Sequence, residues 1–145
     1  MFTNLLPNSE KLFSVFYEDY AKRHYLNKFQ KKYKGKIWDY TEDSIKQDLA
    51  RLRMKNNTTQ RSSQIDELRY KDGKWLAKYD FKIAGSNKSS KTSGNRCVIY
   101  IDNEKDLIKI LLIYNKNDLP KNTKETSFIF STLDENYKEI INNFK

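Results

Sequence analysis

The sequence predicts an α+β domain: an N-terminal strand and two helices, then an antiparallel sheet, then a closing C-terminal helix. Three observations carry this. Apolar residues recur at helical spacing between residues 20 and 53, alternate at period two from Ile65 onward, and return to helical spacing after Pro120. No internal repeat and no linker divides the chain, so residues 1–145 are expected to form a single domain. Residues 1–10 read as a flexible lead-in.

Taken in order, residues 12–17 (LFSVFY) form a short apolar run consistent with an early strand. Over residues 20–34, Tyr25, Phe29 and Tyr33 recur every four residues, with Leu26 on the same stripe. The other faces of that helix carry Lys22, Arg23, Lys28, Lys31, Lys32 and Lys34 with no acid among them, and Gly35 is a suitable terminator. A second helix is expected to start at Thr41, whose hydroxyl can cap free amides. Glu42 and Asp43 would oppose the helix dipole, and Ile45, Leu49 and Leu52 would face the core.

Residues 56–63 (NNTTQRSS) read as a polar loop. Strands over 65–70 and 75–83 should then meet at an Asp72-Gly73 turn, a strong hairpin signal. Alternation puts Trp75, Ala77, Tyr79, Phe81 and Ile83 on one face. Lys78, Asp80 and Lys82 fall on the other, which is expected to lie outside the core. Strands over 96–102 and 107–114 follow, joined by the polar link 103–106. The closing helix is expected over 126–144, with Phe130, Leu133, Tyr137, Ile140, Ile141 and Phe144 as its apolar side.

Composition narrows the function. The net charge is +9 and the mean hydropathy −0.91, so the core must rest on the aromatics: ten Tyr, eight Phe and two Trp. That aromatic content argues against disorder. The charge points to a polyanionic partner: nucleic acid first, an acidic protein second, a membrane surface third. The lone Cys97 excludes an internal disulfide, fits a reducing cytosol, and reads as a small buried residue. The first residues lack the basic-then-apolar pattern of a signal peptide. The longest apolar run, residues 110–114, is far too short to span a bilayer. A cytoplasmic protein without membrane contact is expected.

Several chemistries lack their residues. His24 is the one histidine, so a His-based triad or a His/Cys metal site has no material. No phosphate loop or dinucleotide fingerprint is present, and the adjacent acids Glu18-Asp19 and Glu42-Asp43 suit a loop and a helix start. No metal and no cofactor are expected. Basic residues remain, and RNA can be cut with those alone, because its 2′-OH is an internal nucleophile. The protein must take that proton, neutralise the phosphorane and protonate the leaving oxygen. The candidates are Lys82 as base or charge stabiliser, Arg96 as a planar phosphate clamp, and Lys116 as stabiliser or acid.

The segment from Lys78 to Asp118 also has a characteristic order. A lysine-bearing strand leads through a small-residue loop to Gly94-x-Arg96-x-x-x-Tyr100, and an apolar strand follows that ends in Tyr114-x-Lys116. In this it resembles the C-terminal half of the RelE/HigB-like toxins of bacterial toxin–antitoxin modules, and the resemblance extends less closely to residues 20–53. It implies a RelE-like fold and a metal-independent endoribonuclease that cuts mRNA on the translating ribosome, held by a cognate antitoxin. It supports Lys82, Arg96 and Lys116 as catalytic. The candidate RNA contacts are the strand and loop lysines Lys78, Lys88 and Lys91 and the helix lysines Lys28, Lys31 and Lys32, the helix face being suited to ribosomal RNA or to an acidic antitoxin segment. Tyr137 is a looser candidate for base stacking or proton transfer, against its place in an apolar helical stripe. The chain departs from the family where some members carry a C-terminal catalytic His and where Asn117 replaces a second basic residue. The alternatives are a ParE-like gyrase-poisoning toxin and a non-enzymatic RNA- or protein-binding domain.

Overall fold

The computed structural model describes residues 12–52, 54–55, 58–59 and 64–145. Strand β1 (Ser14–Tyr17) is followed by a nearly continuous helical run: α1 (Asp19–Ala21), a π-helical turn (Lys22–Leu26) and α2 (Asn27–Lys32). Helix α3 (Lys36–Ala50) comes next, then the short pair β2 (Met54–Lys55) and β3 (Thr58–Thr59). The chain continues through β4 (Ile65–Lys71), β5 (Lys74–Phe81), α4 (Ser90–Ser93), β6 (Asn95–Asp102) and β7 (Leu107–Asn115). A 3-10 turn (Lys116–Asp118) leads to α5 (Glu125–Asn136) and α6 (Lys138–Asn142). The architecture is α+β, with a five-stranded sheet in the order β1-β7-β6-β5-β4.

The strands after the helices form the expected antiparallel sheet, and β1, which joins its edge in parallel, makes the whole mixed. Strand β1 runs parallel to β7, pairing Ser14 with Leu107 through Tyr17 with Ile110, while β4 to β7 are antiparallel. The parallel pairing needs the long crossover that the helices supply. Since β1 stops opposite Ile110, the second half of β7 is flanked by the helical run instead.

Both faces of the sheet are covered. On one, Trp75, Tyr79, Phe81, Cys97, Ile99 and Ile108 pack against Phe29, Trp38, Ile45 and Leu49 of the N-terminal helices. On the other, Leu76, Val98, Tyr100 and Leu112 pack against Ile129, Leu133, Ile140 and Ile141 of α5 and α6. Every residue of β6 is buried, which is why Cys97–Ile101 reads as a continuous apolar run. The face carrying Lys78 and Asp80 is therefore a second core face, contrary to expectation. Leu76, on the same face, is fully buried. An extra residue in β7 opposite Val98 and Ile99 forms a bulge, which resets the alternation there.

Other boundaries moved for local reasons. Helix α3 begins at Lys36 behind Gly35, whose φ of 68° reverses the chain, so only residues 33–35 separate the two helices. Thr41 is inside the helix and is not its cap: its Oγ1 donates to the Ile37 carbonyl (2.8 Å) and accepts from the Ala84 amide (2.8 Å), tying α3 to the end of β5. The closing helix breaks at Tyr137 (φ −135°, ψ 47°). Within the predicted polar loop Thr58 and Thr59 pair with β2, while residues 56–57 and 60–63, like the lead-in 1–10, lie outside the described residues.

Candidate nucleic-acid interface

The strand register places Phe81, Asn95 and Asn115 in one row at the end of β5, β6 and β7. Lys82 and Lys116 follow the outer two strands, so both leave the same end of the sheet on either side of β6. With strands about 4.8 Å apart, their backbones are separated by roughly 10 Å. Both side chains are exposed. The Lys116 amide donates to the Gly94 carbonyl (2.8 Å), which pins the turn after β7 to the loop before β6. That loop carries exposed Lys88 and Lys91 around α4, whose N-cap Ser89 accepts from the Thr92 amide (3.2 Å).

Beside this sheet end, helix α2 forms one wall of a groove. Two cavities of about 220 and 470 Å³ share Lys32, Tyr33, Asn95, Asn115 and Asp118 in their linings. The smaller one adds Tyr25, Lys28, Phe29 and Phe128; the larger adds Lys88 and Asn117. Lys28 Nζ lies 5.9 Å from the Tyr25 ring centre and Lys32 Nζ 5.4 Å from that of Tyr33, so the cations sit over aromatic planes. Asp118 contributes the one carboxylate of the lining. At the floor the Asn115 amide donates to the Ser93 carbonyl (3.2 Å) and to Asn95 Oδ1 (2.8 Å), and its oxygen accepts from the Asn117 amide (2.8 Å).

Of the predicted RNA contacts, Lys28, Lys32 and Lys88 line the groove, while Lys31 and Lys91 are exposed nearby without lining it. Lys116 is adjacent to Asn115 and Asn117, which do line it. Lys82 instead borders a separate pocket of about 330 Å³ with Asp48, Gln64 and Tyr79. The asparagines of the floor were not singled out from the sequence as ligand contacts. Their signal there is weak, since Asn is common in turns.

Arg96 is placed differently from its expected surface position. It is 5% exposed, beneath the start of α5. Its Nε lies 3.1 Å from Asp80 Oδ1, without hydrogen-bond alignment, and 3.5 Å from Glu125 Oε2. Its terminal nitrogens donate to the carbonyls of Asn95 (3.2 Å) and Lys91 (3.4 Å). Cross-strand register aligns Asp80, Arg96 and Tyr114, and Glu125 closes the row from α5, accepting from the Tyr114 hydroxyl at 2.7 Å. Burial pushes the Asp80 carboxyl above its usual range, against the opposing pull of Arg96 and then Lys78. In this conformation Arg96 neutralises internal carboxylates.

Two further candidates change in the same way. Lys78 is half-buried, 3.6 Å from Glu125 and 3.9 Å from Asp66. Tyr137 is buried, donates to the Leu111 carbonyl (2.7 Å) and meets Tyr20 edge-on at 5.7 Å, so its ring is not presented for base stacking. His24 is exposed and packs its ring on Tyr20 at 4.5 Å. Among the described residues, no group of His, Cys, Asp and Glu is arranged to hold a metal ion, and no helix is long and apolar enough to cross a membrane. Comparison with protein-family models, curated proteins and solved structures found no significant match.

Proposed function

We propose that this chain is a metal-independent endoribonuclease of the toxin type, binding single-stranded mRNA along the groove and cutting it by 2′-OH attack on the adjacent phosphate. The observation that supports it is the sheet end itself. Lys82 and Lys116 leave the same row on either side of β6, and the adjoining groove is lined by Lys28, Lys32 and Lys88. Cations held by strand ends keep a fixed spacing, as stabilising a developing phosphorane requires. The ribosome as the place of action, and an antitoxin that covers the basic face with an acidic segment, follow from the resemblance and from the net charge of +9.

The test is cleavage of free single-stranded RNA in EDTA and of mRNA on translating ribosomes in magnesium. The products should carry 2′,3′-cyclic phosphate ends, and a 2′-deoxy nucleotide at the cut should block the reaction. Lys82→Ala and Lys116→Ala should each slow cleavage about a hundredfold while leaving the fold intact. One observation favours a second reading, an RNA-binding domain that does not cut: Arg96 is already occupied by Asp80 and Glu125. RNA that is bound but never cut, free or on ribosomes, would establish that reading and end the nuclease proposal.

A further inference from the structure

We infer that the inner, smaller cavity of the groove is a base pocket that takes one unstacked nucleobase of a single-stranded RNA. This rests on the RNA-binding reading and names the part of the RNA that the site holds. The decisive residue is Asn95, which is 4% exposed and lines both cavities. Its orientation follows from its neighbours. The Asn117 amide must donate and the Ser93 carbonyl must accept, which fixes Asn115 with its oxygen towards the first and its nitrogen towards the second. Asn115 Nδ2 then donates to Asn95 Oδ1 at 2.8 Å. Asn95 Nδ2 is left with no hydrogen-bond partner among the described residues.

Asn95 Nδ2 is not enclosed by protein atoms, so in a residue that lines the cavity it is a donor open to an acceptor that enters there. The walls say which kind. Tyr25, Phe29, Tyr33 and Phe128 offer aromatic surface, with the Phe29 and Tyr33 rings 6.4 Å apart and inclined by 23°. Lys28 and Lys32 are exposed on α2 at the rim. Asp118, lining the cavity, disfavours a phosphate inside it and accepts from an exocyclic amine. A flat aromatic ligand with a carbonyl or ring-nitrogen acceptor inside, and its phosphates outside against the lysines, meets every one of these conditions. That ligand is a nucleotide recognised through its base.

The experiment is an NMR titration of the whole protein with the four nucleoside 5′-monophosphates and with ribose 5-phosphate, which has the same phosphate and no base. At least one nucleotide should shift the Tyr33, Asn95 and Asn115 amides and bind about tenfold more tightly than ribose 5-phosphate. Asn95→Asp retains the acceptor for Asn115 but loses the donor, and should weaken that nucleotide about tenfold or more. Tyr33→Leu retains bulk without a stacking plane and should do the same if Asn95→Asp does not fold. Equal affinity for ribose 5-phosphate, unchanged affinity in the folded variants, or no nucleotide bound by about 10 mM overturns the pocket. The readout is independent of cleavage: a nuclease without this pocket, or a pocket without nuclease activity, gives a distinct pattern.

Discussion

Arg96 has two candidate roles, and they make opposite demands. As a phosphate clamp it should stand at the surface and contribute little to packing. In the structure it is buried between Asp80 and Glu125 and donates to two backbone carbonyls. Removing one partner of a buried pair leaves an uncompensated charge, which costs about 3–5 kcal/mol. Arg96→Ala should therefore lower the unfolding free energy by that order, read as a shift in the urea midpoint at constant slope. Combining it with Asp80→Ala should recover part of the loss, because the stranded carboxylate goes too. A variant that loses less than about 1 kcal/mol would show that the pair is not a structural element. Under the proposed function, loss of RNA cleavage in Arg96→Ala is thus evidence about chemistry only where the variant is shown to be folded. Alternation correctly put Lys78 and Asp80 on one face. It could not show that α5 covers that face, because Glu125, the residue that reaches Arg96 and Lys78 from the helix, lies far along the chain.

At the scale of elements, the contact that ties the loop before β6 to the end of β7 depends on Gly94. Its φ is 83°, and a Cβ there would meet Asn115 Oδ1 at 3.1 Å and Nδ2 at 3.3 Å, with Asn117 Nδ2 also at 3.3 Å. Gly85, with a similar φ of 81°, has nothing within 4 Å of the same position. Gly85→Ala should cost only the left-handed strain of about 1–2 kcal/mol, whereas Gly94→Ala must also displace the asparagines of the groove floor. We expect Gly94→Ala to be the more destabilising in thermal melts and to weaken RNA binding as well. Equal melting temperatures for the two variants would mean that the floor yields freely. Where a conformation is written in local chemistry, the sequence was legible: Asp72 and Gly73 both take positive φ in the predicted hairpin. Where a distant contact decides, it was not. Thr41 looked like a cap because Glu42 and Asp43 follow it, yet Ala84 claims its hydroxyl. Tyr137 interrupts a periodic helix, and its hydroxyl is held by the carbonyl of Leu111 in β7. The basic wall of the groove was visible as Lys28 and Lys32. The asparagine floor was not, because its meaning depends on three strand ends meeting.

The molecule buries five of its ten tyrosines, Tyr17, Tyr79, Tyr100, Tyr114 and Tyr137, as structural material on both faces of the sheet, and this makes its stability depend on alkali. Burial is the first cause in each case. It raises Tyr25 and Tyr100 to about 12, and raises Tyr17, Tyr79, Tyr114 and Tyr137 further still. Nearby carboxylates add to the effect, since Tyr17, Tyr79 and Tyr114 donate to Glu42, Asp48 and Glu125. An unfolded tyrosine ionises near 10, so above that pH the unfolded chain binds fewer protons than the native one and stability falls as pH rises. Each such tyrosine removes about 1.4 kcal/mol per pH unit beyond 10 until its folded pKa is reached. With several acting together, a domain of ordinary stability cannot persist far into that range. The expected outcome is one cooperative transition above about pH 10, in which the tyrosinate absorbance of these six tyrosines rises together with the loss of far-ultraviolet circular dichroism. Cys97, fully buried and with its thiol pushed up by burial, should stay silent to a thiol reagent until the same transition. Gradual ionisation near 10 of all ten tyrosines with the dichroism unchanged, or a Cys97 that reacts before the transition, would show that neither face is packed as described.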